Sequence, residues 1–127
     1  MIVLIPLNDI FSIYQLTEKQ EIPPEITSSG FYSLTKTENE ISIVTNCTID
    51  FDSFKSAKKW KGYKVDGILD FSLVGIINDI TKPLKENGIS VFVLSTFNTD
   101  YLFVKEEFFD KSTDILKSAG NISIKEE

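Results

Sequence analysis

DFSLVGIINDITKPLKENGISVFVLSTFNTDYLFVK, residues 70–105, changes its hydrophobic period twice, and those changes decide the fold. Leu73, Ile76, Ile77, Ile80 and Leu84 follow the i, i+3, i+4, i+7, i+11 spacing of one helical face. Gly88, after Glu86-Asn87, is a C-terminal stop, so a helix is predicted over 70–86. Asp70 or Ser72 can cap its start by accepting orphan backbone N–H bonds. Pro83 lacks a donor and crowds the carbonyl four residues back, which predicts a bend or a ragged last turn. Residues 89–96 then form a nearly continuous apolar run rich in β-branched side chains, the pattern of a central strand covered on both faces. Phe97-Asn98-Thr99-Asp100 reads as a turn or bulge, and 101–105 as the returning strand of a hairpin.

Working outward, residues 106–119 carry acidic side chains in their first turn, Phe108, Ile115 and Ala119 along one face, Lys117 near the end and Gly120 beyond it, which predicts a second helix. Residues 122–124 supply a last short strand, and 63–65 a short strand that leaves through Asp66-Gly67. The order strand, helix, strand, strand, helix, strand is the split βαβ, or ferredoxin-like, arrangement. The first half reads as a weaker copy of it. Residues 2–7 are a strand, 8–16 a short helical or irregular connection, 31–35 and 41–45 a hairpin, and 52–59 a short helix. Ile22-Pro23-Pro24-Glu25 and Ser28-Ser29-Gly30 interrupt any longer helix between them. An α+β chain is expected, divided near residues 60–62 into a degenerate N-terminal unit, 1–60, and a C-terminal unit, 61–127.

Composition limits the chemistry. The chain has 127 residues, no histidine, and all 13 of its Lys+Arg residues are lysine. Without imidazole there is no Ser-His or Cys-His nucleophile pair, no common neutral-pH general base and no common zinc ligand. Without guanidinium, an anion must be held by lysine or by backbone N–H groups. A net charge of −6 disfavours nucleic acid and anionic membranes as partners. The single cysteine, Cys47, cannot form an internal disulfide and reads as a small buried hydrophobe. Residues 1–7 lack a basic start and run into Asn8-Asp9, so they read as a strand and not as a signal peptide; a soluble cytoplasmic protein is the expectation.

The residues also resemble a family. Gly67-Ile68-Leu69-Asp70-Phe71-Ser72-Leu73-Val74-Gly75-Ile76, Gly88-Ile89-Ser90-Val91-Phe92 and Ser95-Thr96-Phe97-Asn98-Thr99-Asp100-Tyr101-Leu102-Phe103-Val104 resemble the small tandem ACT-domain proteins. That group is similar to the ACT-like halves of the cytosolic arginine sensors of animals. Glu40-Ile41-Ser42-Ile43-Val44 is similar to the family's first-half strand, while Ile68 stands where the family usually has proline. The resemblance implies two ferredoxin-like ACT units in tandem, with antiparallel sheets and helices on one face. It also implies free amino acids as the ligand class and regulation instead of catalysis; a homodimer without metal or cofactor is the accompanying expectation.

By the same resemblance, the ligand-binding residues are Leu69, Asp70, Phe71 and Ser72 in the loop that opens the helix, and Thr96, Phe97 and Asp100 at the hairpin turn. Physically, the unpaired N–H groups of Phe71, Ser72 and Leu73 and the positive helix end suit a ligand carboxylate. Asp100 suits the ammonium. Each residue also has a plainer use: Asp70 as a helix cap, Asp100 as a turn hydrogen bonder, Phe71 and Phe97 as core or interface aromatics. A protein-interaction or oligomerisation module without ligand is the competing function. Asp66 and Asp70 as an acid/base pair have no nucleophile, metal cluster or cofactor fingerprint beside them.

Overall fold

The computed structural model describes residues 2–53, 55–67 and 75–125. Along the chain the elements are β1 (Ile2–Pro6), β2 (Phe11–Leu16), α1 (Pro24–Thr27), β3 (Tyr32–Lys36), β4 (Ile41–Thr45), β5 (Lys55–Val65), α2 (Ile76–Glu86), β6 (Phe92–Ser95), β7 (Asp100–Lys105), a 3-10 turn over Glu106–Phe108, α3 (Phe109–Lys117) and β8 (Ile122–Ile124). Together they make a mixed α+β fold. The chain divides into unit 1, Met1–Asn8 with Lys61–Glu127, and unit 2, Asp9–Trp60.

Unit 1 differs from the expected division at the N-terminus. Strand β1 runs antiparallel to the second half of β5, with Leu4 opposite Val65 and Pro6 opposite Tyr63. It also runs parallel to β8, with Ile2 opposite Ile122, so the sheets are not purely antiparallel as expected. The strand order is β8-β1-β5-β7-β6. Residues 2–6 therefore belong with the C-terminal unit. The physical reason is burial: Leu4 is wholly buried in a core with Tyr63, Val65, Ile80, Leu84, Leu102, Val104, Phe109, Leu116 and Ile122. Helices α2 and α3 supply the other side of that core, and α2 runs on through Pro83 to Glu86. The proposed start of its helix, 70–74, lies outside the described residues.

Two further expectations are corrected in unit 1. Strand β6 is only Phe92–Ser95, pairs only with β7 among the described residues, and alternates half-buried with exposed side chains, so it is an edge strand and not a central one. In α3 the buried face is Phe109, Ser112 and Leu116; Phe108 is 40% exposed and Ala119 is exposed. The 3-10 turn over Glu106–Phe108 advances the helix by a tighter step, which shifts the apolar stripe by one residue. Phe109 then stacks on Tyr63, centroids 4.8 Å apart, and Lys61 lies over the same ring at 4.4 Å. The Tyr63 hydroxyl donates to the Phe109 carbonyl at 3.2 Å and shares a 2.6 Å hydrogen bond with Thr113.

Unit 2 is a sheet of order β3-β4-β2-β5, antiparallel throughout. The hairpin of β3 and β4 is as expected, with Leu34 opposite Ile43. The two helices or irregular connections expected at 8–16 and 52–59 are instead β2 and the first half of β5. Local spacing lost to pairing, because β2 buries Phe11, Tyr14 and Leu16 only when it sits between β4 and β5. The pairing of β2 with β5 slips by one residue between Phe11 and Ile13, at a bulge where Lys59 takes φ 66. Over the buried Tyr14, Leu16, Ile26, Ile41 and Ile43 pack the four-residue α1 and the irregular stretch carrying Cys47, Ile49 and Phe51. Tyr14 ties that stretch down, donating to the Ile49 carbonyl at 3.1 Å and meeting Phe51 at 4.8 Å. Cys47 is half-buried at this core's margin.

Candidate functional site

The turn between β6 and β7 is built by hydroxyl groups. The Thr96 N–H donates to the Thr99 carbonyl at 2.9 Å, and the Thr96 hydroxyl donates to the same oxygen at 3.1 Å. That hydroxyl also accepts from the Thr99 N–H at 3.3 Å. The Thr99 hydroxyl is buried and donates to the Val65 carbonyl at 2.8 Å. This bond fastens the turn to the end of β5, where the chain leaves through Asp66 and Gly67. Ser95 donates to Asp100 Oδ1 at 2.5 Å, which orients the carboxylate at the start of β7. Phe97, at the tip, is 83% exposed.

Three of the seven expected site residues, Thr96, Phe97 and Asp100, are thus brought together on one turn of unit 1. Leu69, Asp70, Phe71 and Ser72 lie outside the described residues, as does the N–H cluster at 71–73. Thr96 spends its hydroxyl within the turn, so its role there is to hold shape. Two residues that sequence reasoning passed over, Ser95 and Thr99, set the geometry. A Thr-x-x-Thr spacing between two strands is the signal that points to such a turn.

Asp66 sits at the same end of β5 but is turned to β1 and β8: its N–H donates to the Val3 carbonyl at 2.8 Å and its carboxylate is 4.0 Å from Lys125. That exposed pair contributes little. Among the described residues no three His, Cys, Asp or Glu side chains gather closely enough to hold a metal ion. Among them, too, no helix is long and apolar enough to cross a membrane. A surface cavity of about 450 Å³ lies beside β6, lined by Thr81, Lys85, Gly88, Ile89, Ser90 and Val91. What the turn can do chemically is present one oriented carboxylate and one aromatic face to a small or macromolecular partner.

The model of the ACT domain matches residues 55–118, from the first residue of β5 to just past α3. The chain belongs to the ACT-domain family. A second model, of an N-terminal domain, matches residues 9–51, nearly all of unit 2. The ACT match takes in the turn and residues 68–74 and excludes β1 and β8. The mouse cytosolic arginine sensor for mTORC1 subunit 1 is 34% identical over 102 residues, 74% of this chain and 31% of the sensor. The human protein of the same name is 30% identical over the same shares. This ACT-domain chain therefore spans about a third of the length of the curated relatives it matches.

Among solved structures, a crystal structure of an Agobacterium tumefaciens protein is 34% identical, with TM-score 0.83, over 99% of this chain and 95% of that one. The ligand-free regulatory subunit of aspartate kinase from Thermus thermophilus shares the fold at 7% identity, TM-score 0.59, over 87% of this chain and 93% of that one. Aspartate kinase of Clostridium acetobutylicum does so at 14% identity, TM-score 0.65, over 90% of this chain and 34% of that one.

Proposed function

We propose that this chain is a regulatory module that binds a free amino acid and is not an enzyme. The observation that carries the proposal is the Thr99 bond to Val65, which holds an oriented Asp100 carboxylate at the strand end leading into the ACT helix. Support comes from the family and from relatives whose names describe an arginine sensor and a regulatory subunit. In the proposed site, backbone N–H groups at 71–73 and the loop residues Leu69, Asp70, Phe71 and Ser72 hold the carboxylate, since the chain has no arginine. Asp100 pairs with the ammonium, and Thr96 and Phe97 frame it. The strand orders β3-β4-β2-β5 and β8-β1-β5-β7-β6 support two ferredoxin-like units in tandem, the second widened by β1. We take the working form to be a cytoplasmic homodimer.

A thermal-shift panel of the standard amino acids tests the proposal. A ligand at one hundred times its dissociation constant adds about 2.7 kcal/mol of stability. Asp100→Asn weakens that ligand by about 1.5–3 kcal/mol while the unliganded melting temperature holds. No shift with any amino acid at millimolar concentration sinks the proposal. The exposure of Phe97 favours a second function, an interaction module without ligand, for which the panel stays flat and the chain still associates.

A further inference from the structure

Asn87-Gly88 is the only Asn-Gly pair in the sequence, and both residues are exposed where α2 ends. Gly88 has no side chain to shield its backbone nitrogen, which is five-membered-ring distance from the Asn87 side-chain amide along the covalent chain. Attack of that nitrogen on the amide carbon is the first step of intramolecular deamidation. The folded geometry opposes it. The Gly88 N–H donates to the Lys85 carbonyl at 3.0 Å and the Ile89 N–H to the Leu84 carbonyl at 3.0 Å, with Gly88 at φ 74, which together make a Schellman cap. The Asn87 amide donates to the Pro83 carbonyl at 2.8 Å. At ψ 13 the Gly88 nitrogen is swung toward the Asn87 nitrogen and away from its side chain.

The cap closes a weak piece of helix. Pro83 removes the main-chain bond from residue 83 to the Asp79 carbonyl, so the last turn opens without unzipping the turns before it. Against opening stand the two Schellman bonds, the Asn87 amide and the contact of Ile89 and Leu84 with the unit 1 core.

We infer that Asn87 is a covalent modification site, deamidated by Gly88 whenever the cap opens, and that the conversion is one-way because the products cannot rebuild the cap. In the open turn the Gly88 nitrogen loses its proton and bonds to Asn87 Cγ. The Cγ–Nδ2 bond breaks, and Nδ2 leaves as ammonia with that proton. Solvent water then opens the cyclic imide, at Cγ to give aspartate or at the main-chain carbonyl to give isoaspartate. Aspartate has no donor for the Pro83 carbonyl and adds a negative charge beside Glu86 at the negative end of α2. Isoaspartate lengthens the main chain by one atom, which puts the two Schellman bonds out of register. Either product frees the helix end and the residues that lead from it into β6. The inference does not rest on amino-acid binding, and its test uses no ligand.

The full chain is aged in mildly alkaline buffer, folded and in urea, and peptide mapping follows asparagine, aspartate and isoaspartate at position 87. Conversion is expected in urea and is slower in the folded chain at least about tenfold, by the same factor that hydrogen exchange gives for protection of the Gly88 N–H. Asn87→Gln, which would need a six-membered ring, stays unconverted in both. Pro83→Ala restores the missing main-chain bond and slows conversion in the folded chain further. Asn87→Asp, a stand-in for one product, lowers the melting temperature and raises exchange at Gly88 and Ile89. No conversion at 87 in urea overturns the proposal, as does conversion equally fast in the folded chain. A slowing that departs from the Gly88 protection overturns the gating by the cap, and an Asn87→Asp chain that melts and exchanges like the native one overturns the one-way step.

Discussion

Gly62 is wholly determined by what lies over it. A Cβ there would meet Phe103 Cδ1 at 2.6 Å and the Leu102 carbonyl at 2.9 Å, because β7 pairs beside β5 and brings Phe103 against the glycine. Phe103 is itself held by stacking on Phe92, centroids 4.6 Å apart. Gly62→Ala therefore costs about 1–3 kcal/mol in chemical denaturation, since backbone oxygen cannot swing aside. The neighbouring Tyr63 makes a pH prediction. Burial raises its phenol from near 10 to about 12, opposed in part by the Thr113 hydrogen bond and helped by the charges of Asp110 and Asp114. The unfolded chain releases this proton first, so stability from Tyr63 is complete below pH ~10 and drains away as pH rises toward ~12. Urea titrations from pH 9 to 12 should show that fall, and Tyr63→Phe should flatten it while costing about 1 kcal/mol at neutral pH. None of this was legible at residues 62 and 63 themselves, which read only as the boundary between two halves and the start of a short strand.

At the scale of elements, helix α3 shows how a short irregularity outranks a sequence pattern. Phe108 and Phe109 are equally apolar, and the spacing of Phe108, Ile115 and Ala119 is an acceptable stripe. The 3-10 turn before Phe109 sets the phase that puts Phe109, Ser112 and Leu116 inward. Leu116→Ala should cost about 2–5 kcal/mol and Phe108→Ala under ~1 kcal/mol in urea unfolding. Equal losses would return the stripe to Phe108. The β6–β7 hairpin, by contrast, was readable: two apolar runs flank four turn residues, and the structure changes only the length and exposure of the first strand. The candidate site was partly legible for the same reason. Thr96 and Asp100 announce a turn, and the Ser95 bond to Asp100 is local, but the pin that fastens the turn, Thr99 to Val65, joins residues 34 apart that no local window contains.

At the scale of the whole molecule, the chain returns to its beginning. Strand β1 lies between β5 and β8 of unit 1, and Leu4 is wholly buried there, so the first residues complete a unit whose remainder starts at Lys61. Leu4→Ala should cost about 2–5 kcal/mol. Hydrogen exchange should accelerate at Val65 and Ile122 while Ile43 of unit 2 keeps its protection. Uniform acceleration in both units would deny that β1 belongs to unit 1. The family match from 55 to 118 fits this economy: it covers β5 through α3 and stops short of the two strands that flank them.

By itself the sequence determined the α+β class, the two strand hairpins, the stop after α2 and the chemistry that a chain without histidine or arginine must do without. These follow from hydrophobic period, glycine and proline punctuation, and side-chain inventory, all of which act within a few residues. Only the tertiary structure decided that residues 11–16 and 55–60 are strands, that β1 joins unit 1 and that α3 turns Phe109 inward. Those outcomes depend on which surfaces are buried together, and burial is gained between residues far apart in the chain, where local spacing carries no preference for one partner over another.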